Sequence, residues 1–238
     1  MRTLEHVLQM KTIQDLRLLT PSDYDGRHIT LEEIRHILEV CDALWLHSGD
    51  PARPHAELTS GKCSDGFVDV LRALRFPRIC QIMANELAAK MWDECDHEYD
   101  WVIGSDHAGA TFSHCVAMWF NAQHDFTEKG PDKTQAWNRF VIGPEEMVCQ
   151  VEELMTTAGT FEAVRAGIRT GNPTPVRFSP VAGVLVHRSS VERIEDTQII
   201  WLVHYDINVW DPKDCPLCAA GSKRLRPKQH WAELTGKA

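Results

Sequence analysis

The sequence predicts an α/β fold: a central, mainly parallel sheet flanked by helices, preceded by a helical amino-terminal extension. Three observations predict it. Apolar, strand-like runs alternate with helix-period segments from about residue 78 onward. Two of those runs pass through a small-residue junction directly into a helical pattern, as the βα units of a parallel sheet do. A separate helical pattern, with its own start signal, precedes the alternation.

That first pattern begins at Thr30-Leu-Glu-Glu33, which matches a capping box. Leu31, Ile34, Ile37, Leu38 and Leu44 then keep a helical period, so an amphipathic helix is expected over 31–46. It reads as a packing or dimerisation helix. A DNA-binding helix pair is disfavoured, because residues 1–56 hold six Lys or Arg against nine Asp or Glu. "HSGDPARPH" (47–55), with two prolines and a glycine, reads as a linker. Residues 1–56 are therefore taken as a helical extension and linker, and 57–238 as the main domain. Within the latter, 78–91 should be helical, "YDWVIG" (99–104) a buried strand ending in Gly, and 109–121 helical. "MVCQVEEL" (147–154) is expected as a strand and "TFEAVRAGI" (160–168) as a helix. "PVAGVLVHR" (180–188) and "QIIWLVHY" (198–205) are further apolar strands.

Composition narrows the function. The 43% apolar and 25% charged fractions are those of an ordinary globular protein. A formal net charge of −9 argues against a nucleic-acid surface, though not against one small anion held by a few cations and backbone amides. No stretch approaches the ~20 apolar residues of a membrane span, and no signal peptide is evident. The eight cysteines sit mostly in apolar or helical patterns, which suggests reduced thiols in a cytoplasmic protein.

In parallel α/β sheets, ligands sit outside the carboxyl ends of the strands, so the junctions at 104–109 and 152–160 matter most. In "EELMTTAGT", Gly159 permits close backbone approach, and Thr156, Thr157 and Thr160 supply hydroxyl donors. The unpaired amides opening the next helix carry the positive end of its dipole, which suits a phosphate. Glu152 and Glu153 cannot favour that phosphate, but they can accept hydrogen bonds from sugar hydroxyls or hold Mg²⁺ directly or through water. A sugar phosphate needs both ends. On spacing alone, a plain strand end with a threonine N-cap explains the stretch equally well.

"CQVEELMTTAGTFEAV" resembles the phosphoribosyl-diphosphate loop of type I phosphoribosyltransferases, and five further segments extend the resemblance to the orotate phosphoribosyltransferase family. They are "TSGKCSDGF" (59–67), "VIGSDHAGATFSHCVA" (102–117), "DFTEKGPDKTQAWNRFVI" (125–142), "VLVHRSS" (184–190) and "DCPLCAAGSKRLRPKQHW" (214–231). The resemblance spans about 57–231 in consistent order. It implies a type I phosphoribosyltransferase fold, a homodimer, Mg²⁺ as cofactor, and phosphoribosyl diphosphate and orotate or a related base as substrates.

The resemblance also implies roles. Glu152 and Glu153 would bind the ribose hydroxyls, and Mg²⁺ indirectly. Thr156, Thr157, Ala158, Gly159 and Thr160 would hold the 5-phosphate. Gly104, Ser105, Asp106 and His107 would form the pyrophosphate loop. Lys129 matches a pyrophosphate-contacting lysine of a mobile catalytic loop, and Lys133 lies one residue out of register with the catalytic lysine. Lys62 and Arg188 match residues that meet the base and its carboxylate, a group that an arginine fork suits. The sequence departs from the family's pattern in its Glu-Glu pair, in Asp106-His107, in "VHR" where "VDR" is usual, and in its longer amino-terminal segment.

Other patterns weigh less. Ser105-Asp106-His107 spells a hydrolytic triad, but residues adjacent in sequence do not form that spatial relay. Cys215-Pro-Leu-Cys218 is a single C-x-x-C. With His204 or His230 it could bind zinc, yet two structural thiols in a carboxy-terminal turn is the preferred reading. The expected function is thus transfer of ribose 5-phosphate to orotate. A transferase for a different base, or a non-catalytic nucleotide sensor on the same fold, are the alternatives.

Overall fold

The computed structural model describes residues 5–237. The chain opens with two short helices, α1 (Glu5–Leu8) and α2 (Ile13–Leu16), and then α3 (Leu31–Val40). Thr30 and Glu33 form the expected capping box: Thr30 Oγ1 accepts from the Glu33 amide at 3.1 Å, and Glu33 Oε2 accepts from the Thr30 amide at 2.9 Å. Helix α3 ends at Val40, short of the expected 46. Asp42 turns the backbone into the left-handed region (φ 56°), and Leu44–Leu46 becomes strand β1. Leu44 fits a helical period and a strand equally well, so periodicity alone could not place the break. Leu16, Leu19, Ile34, Ile37 and Leu38 are buried in the same core as the main sheet.

Next come β2 (His55–Glu57), β3 (Cys63–Ser64) and β4 (Gly66–Val68), with β4 pairing antiparallel to β1. The boundary at 56 falls within β2, whose His55 is buried. Helices α4 (Leu71–Leu74) and α5 (Pro77–Glu94) lead into β5 (Trp101–Gly104), α6 (Ala108–Phe120) and β6 (Gln123–Phe126). A hairpin of β7 (Glu128–Lys129) and β8 (Gln135–Ala136) precedes β9 (Met147–Met155), α7 (Gly159–Gly171) and β10 (Arg177–Phe178). The main sheet is completed by β11 (Val181–His187), β12 (Arg193–Ile194) and β13 (Thr197–His204).

The strand order is β12-β13-β11-β9-β5-β6, with β10 also on β9, and every pair but β12–β13 is parallel. All seven residues of β11 are buried, as expected for a strand covered on both faces. Alternation along β5 shows the two layers. Val102 enters the core formed with α5 and α6, whereas Trp101 and Ile103 pack with Val164 and Ile168 of α7. Fully buried Phe112 and Phe161 anchor α6 and α7 on opposite faces, each by about 2–3 kcal/mol of apolar burial. No helix among the described residues is long and apolar enough to cross a membrane.

The carboxy-terminal segment supplies β14 (Val209–Trp210), α8 (Pro216–Ala219), β15 (Arg224–Leu225) and α9 (Trp231–Thr235). These strands return to β2 and β3 and build a second, four-stranded sheet in the order β14-β3-β2-β15. Residues 55–64 are thereby gripped from both sides by the end of the chain.

Candidate active site

Strands β5, β9 and β11 lie side by side and run parallel, so their carboxyl ends open on one edge of the sheet. Gly104–His107, Glu152–Thr160 and Arg188 are brought to that edge by register alone. The Arg188 amide donates to the Met155 carbonyl at 2.8 Å, which fixes the end of β11 against that of β9.

The acid pair sits in the last turns of pleat of β9. Glu152 is buried, and it accepts from Ser105 Oγ at 2.6 Å and from Gln150 Nε2 at 3.0 Å. Gln150 in turn accepts from Arg165 Nε at 3.4 Å, and buried Arg165 pairs with Glu195 at 3.0 Å. This chain of contacts orients one carboxylate of the pair. Among the described residues, Glu153 Oε2 is buried with no hydrogen-bond partner. Burial, reinforced by the neighbouring Glu153 charge, holds the Glu152 carboxyl well above the usual range. Burial and nearby Asp106 do the same for Glu153.

Gly109, in the first turn of α6, completes this pocket. A Cβ there would lie 2.6 Å from Ser105 Oγ, 3.1 Å from Glu152 Oε2 and 3.2 Å from Glu153 Oε2. Both carboxylates therefore converge on a space that only glycine leaves open. Two acids with a proton affinity raised by burial, one of them with an orphaned oxygen, form a cradle for hydroxyl donors or a hydrated cation. The all-oxygen donor set of Glu152 and Glu153, with Asp106 close by, fits Mg²⁺ held through water.

The threonine loop follows directly. Thr156 and Thr157 are exposed, and Ala158, in helical backbone, occupies the N-cap of α7 with no side chain capping the helix. A threonine N-cap is therefore not what this stretch provides. The first-turn amides of a 13-residue helix remain open, in reach of an anion. The pyrophosphate-loop candidate differs in kind. His107 is exposed and held in the left-handed half of backbone space (φ 60°, ψ −106°), a strained position for a residue with a side chain. Ser105 bonds to Glu152 and not to His107, which removes the triad reading.

Arg188 is half-buried. Its Nε has no partner among the described residues, and burial lowers its guanidinium pKa despite nearby Asp65. Asp65 is itself fixed by the backbone amide of Asn208 at 2.7 Å and its side-chain amide at 2.8 Å. Lys62 is exposed, with Nζ 3.8 Å from Asp211. Lys129 and Lys133 are exposed on the β7–β8 hairpin, Lys133 at φ 63° in its turn. Neither makes an ion pair or hydrogen bond with the acid pair or the threonine loop among the described residues. The base of the hairpin is anchored by Arg139, which bonds Asp125 at 3.2 Å and also Glu128.

The sequence reading missed Gln150, Arg165, Gly109 and Asp65. Gln150 had a signal: a lone amide inside an apolar strand needs a buried partner. The other three carry none without the register.

No protein-family model matches the chain. Among curated proteins it is similar to the orotate phosphoribosyltransferase of Thermotoga maritima, 29% identical over 194 residues that cover 82% of this chain and 96% of that protein. It is 28% identical over 189 residues to the orotate phosphoribosyltransferase of Desulforamulus reducens, covering 79% and 95%. Among solved structures, Leishmania donovani UMP synthase aligns with a TM-score of 0.54 and 16% identity, covering 72% of this chain and 36% of that chain. Orotate phosphoribosyltransferase from Aeropyrum pernix aligns with a TM-score of 0.52 and 16% identity, covering 71% and 92%.

Proposed function

From a chain that carries the type I phosphoribosyltransferase fold and resembles orotate phosphoribosyltransferases along most of its length, we propose a phosphoribosyltransferase acting on orotate. In this reaction a base nitrogen bonds to C1 of the ribose as the bond from C1 to the diphosphate oxygen breaks. The products are orotidine 5'-phosphate and pyrophosphate. The observation that carries the reading is the convergence, on one sheet edge, of the Glu152–Glu153 pair, an uncapped threonine loop and a guanidinium with a free Nε.

Glu152 and Glu153 accept hydrogen bonds from the two ribose hydroxyls, which favours their ionised forms and offsets the burial. The hydroxyls of Thr156, Thr157 and Thr160, with the amides opening α7, hold the 5-phosphate. Gly104 to His107 line the diphosphate. Mg²⁺, held through Glu152 and Glu153 when bound, supplies positive charge to that diphosphate. Arg188 receives the carboxylate of the base, and Lys62, three residues before the Asp65 near Arg188, meets the same base. Lys129 and Lys133 meet the leaving pyrophosphate once their hairpin closes over the edge. The homodimer belongs to the same proposal, and size-exclusion chromatography with light scattering tests it.

The experiment is pyrophosphate release with phosphoribosyl diphosphate, Mg²⁺ and a panel of bases. Release with orotate should exceed release with uracil by roughly 30- to 1,000-fold, the worth of a fork of charge-assisted hydrogen bonds to the carboxylate. Release with another base only would assign that base. No release, with thermal stabilisation by the diphosphate, would make the protein a sensor.

A further inference from the structure

We propose that His55, Cys63, Cys215 and Cys218 form a closed, structural Zn²⁺ site that clips the carboxy-terminal segment onto the β2–β3 turn. One nitrogen and three sulfurs from these residues lie within 4.8 Å of one another, the single such group among the described residues. The histidine partner is neither His204 nor His230. His204 bonds His187 at 2.8 Å, and His230 lies 3.8 Å from Glu233. The C-x-x-C pair instead meets residues about 160 positions upstream, delivered by pairing of β2 and β3 with β14 and β15.

Three of the six ligand-to-ligand distances match one tetrahedral ion, and the rest fall within 4.8 Å. With Zn–S near 2.3 Å and Zn–N near 2.0–2.1 Å, tetrahedral angles require about 3.8 Å between sulfurs and about 3.5 Å between sulfur and nitrogen. The observed spacings are 3.6 Å from Cys63 Sγ to Cys218 Sγ, 3.7 Å from Cys215 Sγ to His55 Nε2, and 3.4 Å from Cys218 Sγ to His55 Nε2. His55, Cys63 and Cys215 are buried.

The imidazole is held in the ligating tautomer. Ser222 Oγ donates its only proton to the Arg53 carbonyl at 2.6 Å, so at 2.8 Å it must accept from His55 Nδ1–H. That leaves the Nε2 lone pair facing the sulfurs, the arrangement in which an outer partner fixes a metal-bound histidine. The Cys218 amide also points at Cys215 Sγ, 3.4 Å away, as suits a thiolate. The pair Cys80 and Cys115 is a useful contrast. Its sulfurs are 3.5 Å apart, yet no third ligand among the described residues joins them.

Three thiolates and an imidazole select a soft tetrahedral divalent ion, and four protein ligands leave no open position for chemistry. The role is therefore structural. Cys63 directly follows Lys62, and Arg224 of β15 donates to the Gly61 carbonyl at 2.8 Å, so the clip sets the turn that presents Lys62. The site stands independently of the proposed transfer reaction, because its readout is metal content.

The test uses the full chain, expressed with zinc supplementation and purified without chelators or metal-affinity resin. Elemental analysis should find one zinc per chain, lost in Cys63→Ser and Cys218→Ser and retained in Cys80→Ser. Replacing zinc with Co²⁺ should give tetrahedral visible bands and thiolate-to-metal charge transfer. Those bands should be absent from Cys63→Ser and Cys218→Ser, which lose the metal, and retained in Cys80→Ser. Should the variants fail to fold, the wild-type zinc content and Co²⁺ spectrum decide alone. Wild-type protein without zinc, iron in its place, or a disulfide among Cys63, Cys215 and Cys218 in freshly purified protein would overturn the proposal.

Discussion

Arg188→Ala separates a base-binding role from a structural one, because the two predict opposite signs for stability. In the free protein the Arg188 guanidinium is half-buried, its Nε lacks an acceptor among the described residues, and burial alone is large enough to lower its pKa against the pull of Asp65. Removing it leaves no orphan, since Asp65 keeps both bonds from Asn208. Thermal stability of the unliganded variant should therefore hold or rise, by up to about 3 °C for a gain of about 1 kcal/mol in a chain of this size. Activity should move the other way. A fork of charge-assisted hydrogen bonds to a carboxylate contributes about 2–4 kcal/mol, so kcat/KM for orotate should fall roughly 30- to 1,000-fold. Affinity for phosphoribosyl diphosphate, measured by calorimetry, should change by less than about threefold, because the acid pair stands on β9 with the threonine loop directly after it, whereas Arg188 follows β11. Arg188→Lys keeps the charge without the fork and should fall between the two. Equal loss of diphosphate and orotate binding, or a clear drop in melting temperature, would refute the assignment.

Two further predictions concern the scaffold behind the edge. In Gly104→Ala the new Cβ would lie 2.6 Å from the Gly109 carbonyl oxygen and 2.7 Å from Ser113 Oγ, and the first of these is backbone that cannot swing aside. The variant should lose about 1–3 kcal/mol, read as a melting temperature lower by roughly 3–10 °C, and a melting temperature equal to wild type would sink the close-packing account. Glu195 is held down to about 2, first by Arg169 and then by Arg165, from an ordinary value of 4.5. A folded pKa below the unfolded one means that this stabilisation is complete above pH 4.5 and fades as the pH falls toward 2. The melting-temperature gap between wild type and Glu195→Gln should therefore narrow between pH 5 and pH 3, and a constant gap would exclude the linkage.

What the sequence could disclose followed the reach of its signals. The βα junctions at 104 and 152 were legible because strand, loop and helix start lie within a dozen residues, where period-2 and period-3.6 patterns meet. Strand β1 was not, because Leu44 satisfies both periods and only the left-handed turn at Asp42 decides between them. The two- and three-residue strands β2, β3, β14 and β15 are too short to show any period, so the second sheet was invisible. The same boundary divides the site. Glu152 and Glu153 stand out in sequence as acids ending an apolar run, but the residues that give them their chemistry arrive through register: Ser105 across from β5, Gly109 from α6, Arg165 from α7 by way of Gln150. Gly109 is the sharpest case. In sequence it is one glycine in a helix; in space, any side chain there would fill the volume on which both carboxylates converge. Cys215 and Cys218 follow the same logic, since spacing rules recognise metal ligands only when one local unit supplies them all. Here strand pairing carries His55 and Cys63 to the pair from the far end of the chain, and the chemistry of both the acid pocket and the thiol cluster becomes visible only once the strands are in register.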